Sequence, residues 1–77
     1  MKLYLVTDPE AEGYEMYDAL VICADSEAAA RAFRPPHPNG WREDHWPSDT
    51  SKLTVIEIGE AHPSLRERLI LGSFNQA

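Results

Sequence analysis

The sequence of 77 residues is poor in cysteine and in basic residues. Cys23 is its one cysteine, which excludes an internal disulfide and a zinc site built from several thiolates. Against 13 acidic residues stand only 7 basic ones, and a formal net charge of −6 argues against a surface that binds phosphate backbones. No apolar run approaches the roughly 18–20 residues that cross a bilayer, and no signal peptide is apparent. We therefore expect a cytoplasmic protein without a membrane segment.

The short length predicts a single domain over residues 1–77 with a small core. A domain near this size buries only about 60% of the surface that its unfolded chain exposes. That leaves little room for a deep catalytic cleft and the layers that support one.

Hydrophobic patterning predicts four strands around one helix. The strands are expected at Lys2 to Thr7, within Tyr14 to Ala24 from about Tyr17 onward, at Leu53 to Glu60, and at Arg68 to Phe74. The second strand is apolar on both faces between Ala19 and Ala24, which is typical of a central strand. The order β-β-α-β-β predicts an α+β fold in which one short helix packs on a mostly antiparallel four-stranded sheet.

The helix is expected to begin after Ser26, whose hydroxyl suits an N-cap, and to end before Pro35 and Pro36. Its predicted buried stripe consists of Ala28, Ala29, Ala32 and Phe33. One further helical turn is expected over residues 65–67.

Residues 35–51 form a long irregular segment that contains both tryptophans. One short helix covers only part of one sheet face, although the strands carry apolar residues on both. Something else must therefore cover the second face. The candidates are Trp41 and Trp46, folding back as a lid, and a second copy of the chain, which would make a homodimer.

The net charge belongs entirely to the first thirty residues, which contain seven acidic residues and one basic residue, Lys2. Five of the seven lie on or beside the first hairpin connection: Asp8, Glu10, Glu12, Glu15 and Asp18. Such a cluster can steer the protein onto a basic partner. It can also serve only to keep a small protein soluble.

Metal-binding patterns in the sequence are incomplete. Residues 8–13 resemble the start of a calcium loop, but the twelfth loop position, which needs a bidentate Glu, is Ala19. His37, His45 and His62 lack the close-spaced pair that zinc sites show. We expect no metal site and no cofactor, and a small metal-binding or ligand-binding domain that uses His37 and His45 is the third alternative for function.

Catalytic and nucleic-acid-binding patterns are also incomplete. Ser64 lies near His62 but not on a strained turn of the kind that displays a nucleophile, so we expect no catalytic residue and no enzyme. Arg34 and Arg42 accompany the two tryptophans. Neighbouring acidic residues cancel the positive field of these arginines, so direct nucleic-acid binding is not expected. These acids are Glu43, Asp44 and Asp49. Trp41 and Trp46 are predicted as a core lid or, alternatively, as anchors in a protein interface.

Three segments of the sequence resemble a group of small bacteriophage and prophage proteins. They are the opening MKLYLVTD, the segment YDALVICADSEAAAR, and the ending VIEIGEA…LILGSFNQA, in which Gly72 stands where that group has alanine. The resemblance leaves residues 35–51 unmatched and carries over no catalytic or binding residue. It implies a phage context, and small acidic phage proteins often act by binding a host protein, as anti-CRISPR proteins do.

These observations predict a non-catalytic, phage-derived inhibitor that binds a host defence protein, such as a CRISPR effector complex, in the host cytoplasm. The five acids of the hairpin connection would contact a basic surface, with Trp41 and Trp46 as apolar anchors. The alternative is a small homodimeric accessory protein of phage structure or assembly.

Overall fold

The computed structural model describes residues 1–11, 16–36, 46–47 and 49–75. Its strands are β1 (Lys2–Thr7), β2 (Met16–Ala24), β3 (Thr54–Glu60) and β4 (Arg68–Asn75), and its helices are α1 (Glu27–Ala32) and a 3-10 helix at Thr50–Lys52. The strands form one antiparallel sheet in the order β3-β1-β2-β4, and α1 packs against β1, β2 and β3. The predicted α+β fold is confirmed, with β2 as a central strand.

The helix α1 begins where the sequence predicts, but it is shorter than predicted and buries a different side. Ser26 is the N-cap, and its Oγ accepts a hydrogen bond from the Ala29 N–H at 3.1 Å. Ala30 is buried, and Ala29 and Phe33 pack against the core. The prediction was wrong for Ala28 and Ala32, which are exposed, because the side of the helix that carries Ala30 packs on the sheet instead.

The connection between β3 and β4 is a turn. Leu65 N–H donates a hydrogen bond to the His62 carbonyl at 2.9 Å, and no helical turn forms over residues 65–67, contrary to expectation. Pro63 lies within this turn, where its fixed φ suits a turn and its missing N–H costs no ladder hydrogen bond.

The core lies between the sheet and α1. Its members are Tyr4, Val6, Tyr17, Leu20, Ile22, Ala24, Ala30, Trp46 and Leu53. The strand residues among them alternate along β1 and β2, as expected when one face of a strand packs and the other does not. Because Trp46 belongs to the same cluster as Ala30, it lies on the helix side of the sheet. The prediction that this tryptophan covers the second face is therefore wrong.

Candidate protein-binding surfaces

The second face of the sheet carries a row of large apolar side chains across all four strands. Leu5 on β1 pairs with Ile56 on β3 and with Val21 on β2. Val21 in turn pairs with Leu71 on β4. Directly opposite residues of antiparallel strands share a face. The four side chains therefore form one continuous row, on the face opposite the core residues Val6, Leu20 and Ile22.

This row is open to solvent at both edges of the sheet. Ile56 is 50% exposed and Leu71 is 67% exposed, and Leu5 and Val21 between them are half-buried. Ile58 and Ile70, at the two irregularities of register on the edge strands, are 51% and 43% exposed. We call the face that carries these four residues of the row, Leu5, Val21, Ile56 and Leu71, the open face.

A second row of the open face consists of small side chains. It lies two residues from the apolar row along each strand, and it contains Thr54, Thr7, Ala19 and Ser73. At the other end of the face Cys23 is fully buried, and its Sγ lies 3.7 Å from the Sδ of Met1. The open face is thus a ridge of large apolar residues beside a shallow strip of small ones.

The predicted acidic residues that the structure describes lie at one end of the sheet. Asp8 N–H donates a hydrogen bond to the Asp18 carbonyl at 3.0 Å, which holds the end of β1 beside the start of β2. Asp8 is only 8% exposed, and its carboxylate accepts a hydrogen bond from the Glu10 N–H at 3.0 Å. Glu10 and Asp18 are exposed. Glu12 and Glu15 lie outside the described residues.

A shallow groove of about 350 Å³ at this end brings in a carboxylate that sequence reasoning did not place there. Asp8, Glu10 and Asp49 line the groove together with Lys52. Lys52 Nζ lies 3.3 Å from a Glu10 carboxylate oxygen. Hydrogen bonds from the Ser51 hydroxyl and N–H lower the pKa of Asp49, so this carboxylate stays ionised. Asp49 is distant in sequence from the hairpin, and no sequence signal connects the two.

Among the described residues, no exposed tryptophan is available to contact a partner. Trp46 is 2% exposed, and its ring makes an edge-on contact with Tyr17 at 6.5 Å between ring centroids. Burial gives Trp46 a role in the core and leaves it almost no surface for a partner. Trp41 lies outside the described residues, as do His37 and His45.

The described part of the chain contains one serine–histidine pair. His62 Nδ1 lies 2.7 Å from the Ser64 Oγ and accepts a hydrogen bond from the Ser64 N–H, on an exposed turn. Within residues 1–11, 16–36, 46–47 and 49–75, no carboxylate hydrogen-bonds to His62 and no group of three or more metal-ligating side chains occurs. The contacts stabilise the turn, and among these residues no third group orients the imidazole as a catalytic base requires.

Comparisons with protein-family models, with curated proteins and with solved structures give no match for this chain. The resemblance to phage proteins stays a prediction. Among the described residues, the sole α-helix is too short to reach across a bilayer. The argument about function therefore depends on the two surfaces, the open face and the acidic end of the sheet.

Proposed function

We propose that this protein acts by binding another protein and catalyses no reaction. The observation that supports the proposal is the open face, whose large apolar side chains reach half exposure or more at Ile56 and Leu71. Contiguous apolar patches of this kind on soluble domains are typical of interaction surfaces.

The apolar character of the open face is not needed for the core on the other side of the sheet. The helix side already contains a closed cluster in which Val6, Leu20 and Ile22 are at most 1% exposed. A sheet with one solvated face normally alternates apolar and polar residues along its strands. Leu5, Val21 and Leu71 occupy positions where polar residues would serve a solvated face equally well. In this proposal, a protein contact explains their apolar character.

The finer form of the proposal concerns the partner. We propose a phage-derived inhibitor in the host cytoplasm, bound to a host defence protein with a basic surface, of which a CRISPR effector complex is the leading example. The acidic end supports it, because Glu10, Asp18 and Asp49 are exposed carboxylates at one end of a chain with a net charge of −6. The alternative, a small accessory protein of phage assembly, is supported by the open face alone.

Affinity capture from host lysate, at low and high salt, tests both surfaces with the full chain. The variants are Leu71→Lys on the open face and the double variant Glu10→Gln and Asp18→Asn at the acidic end. Ala28→Lys, at an exposed position of α1, is the control that adds the same charge elsewhere. We expect Leu71→Lys to lose the captured protein at all salt concentrations.

The acidic double variant is expected to weaken capture at low salt and to reduce its salt dependence, because exposed charges act over about 8–10 Å at ordinary ionic strength. Capture that survives Leu71→Lys unchanged contradicts binding through the open face. Capture whose salt dependence is the same in the acidic double variant contradicts the basic partner.

A further inference from the structure

We infer that the open face is the interface of a homodimer, in which a second copy of this chain covers it. This inference rests on the proposed function, because it assigns the open face to a second copy of the chain and leaves the acidic end of each copy for the basic partner. Loss of the dimer in Leu71→Lys then also weakens capture, since a monomer presents one acidic end instead of two. The arguments are the charge of the face, its shape and its size.

The open face is nearly free of charge in a strongly acidic protein. Its apolar row and its small row together contain no charged residue, and Arg68, paired with Cys23, is the charged residue at its far end. A charged partner would leave its own charges buried and unpaired on such a surface. The best complement is another neutral apolar surface, and the open face of a second copy is one.

The shape of the face is self-complementary. The large row and the small row run parallel across the sheet, about 7 Å apart along the strands. A twofold axis parallel to the rows and midway between them would set the large row of each copy on the small row of the other. Leu71 would then lie over Ser73 of the partner subunit. Sheets that pack in this way lie about 10 Å apart with their strands nearly aligned.

The size of the face is that of a small interface. Four strands about 4.8 Å apart, each six to nine residues long at about 3.3 Å per residue, give a face of about 19 × 20–30 Å. That is roughly 400–600 Å² per partner, at the small end of the range for protein interfaces, so the dimer is expected to dissociate on dilution. For a chain of 77 residues, dimerisation also adds the buried apolar area that a small core lacks. The dimer would have two sheets inside and one helix on each outer surface.

Sedimentation equilibrium of the purified full chain over a range of concentrations tests the inference. We expect twice the mass of one chain, with dissociation on dilution. Leu71→Lys is expected to raise the dimer dissociation constant about 100-fold or more, because each dimer loses two buried leucines. Thr7→Lys, on the central strand β1, is expected to act similarly, whereas Ala28→Lys on α1 leaves the constant unchanged. Circular dichroism confirms that each variant is folded.

Each alternative outcome has a definite meaning. A dimer that persists in both Leu71→Lys and Thr7→Lys uses another surface, and the inference is then wrong. A dimer lost in Leu71→Lys but kept in Thr7→Lys pairs along the β4 edge, which also contradicts it. A wild-type chain that is monomeric at every concentration overturns the homodimer, but it leaves the proposed function standing if Leu71→Lys still abolishes capture. Absence of both self-association and capture overturns the two together.

Discussion

Gly72 on β4 allows the Tyr17 ring to lie directly on the backbone of the neighbouring strand. A Cβ placed on Gly72 would lie 2.6 Å from Tyr17 Cε1 and 3.1 Å from Tyr17 Cδ1. The ring cannot easily move away, because its other side belongs to the core cluster with Trp46. A glycine within a strand is usually a small loss of stability, and here close packing of an aromatic ring explains it.

Gly72→Ala is therefore expected to destabilise the protein by about 1–3 kcal/mol, as overpacking of a core does. The matched control is Gly59→Ala on β3, where nothing lies within 4 Å of an added Cβ. That variant is expected to change the free energy of unfolding by no more than about 0.5 kcal/mol. Urea denaturation measures the free energy of unfolding of both variants. Equal values would show that Tyr17 does not pack as described.

The strands are the elements that the sequence predicts best, because their apolar patterns leave few alternatives. β1 begins and ends at the predicted residues, and each of the other three strands differs from its prediction by one residue at one end. The helix is predicted less well, since a run of alanines favours helix without indicating which side will be buried. Only the tertiary packing, which buries Ala30, determines that side.

A side-chain hydrogen bond that sequence reasoning did not predict joins the segment after α1 to β2. Tyr17 Oη donates to the Pro36 carbonyl at 2.7 Å. Burial raises the pKa of Tyr17 above its ordinary value of 10.0. The neutral phenol is thus favoured in the folded state, and this contribution to stability is complete below pH 10 and lost as the pH rises through the folded-state pKa.

Tyr17→Phe is expected to cost about 1 kcal/mol at neutral pH, because the Pro36 carbonyl loses the hydroxyl that donates to it. Above pH 10 the difference in stability between the wild type and the variant should shrink, since the variant has no proton to lose at this position. Comparison of the two proteins in urea from neutral to alkaline pH measures this, with the other titrating groups common to both. A difference that stays constant through the alkaline range would contradict the assignment.

At the scale of the whole molecule, the sequence predicted that the second face of the sheet needs cover. It did not predict that Trp46 lies on the other face. The apolar residues on both faces of β2 showed that two surfaces needed cover. They could not show that Trp46 lies on the helix side, because its position depends on long-range packing against Tyr17 and the rest of the core cluster. Strand order likewise depends on long-range pairing, so the row from Ile56 to Leu71 emerges only in the folded sheet.

The composition of the acidic end likewise depends on strand pairing that the sequence does not reveal. The sequence placed Asp8, Glu10 and Asp18 near one another because they flank one hairpin connection. Asp49 joins the groove only because β3 pairs with β1, so that the 3-10 helix before β3 lies beside the end of β1. Lys52 arrives with Asp49 and lies 3.3 Å from a Glu10 carboxylate oxygen, so this end gains a carboxylate without a change in its net charge.

Hydroxyl-radical footprinting of the wild-type protein measures most directly whether the open face is a contact surface. Oxidation of Ile56 and Leu71 is compared with that of His62, which is exposed on the turn between β3 and β4. The account predicts that dilute protein is oxidised at all three positions. It also predicts that Ile56 and Leu71, but not His62, become protected at high concentration or with a captured partner. Equal reactivity of the three residues under every condition would contradict it.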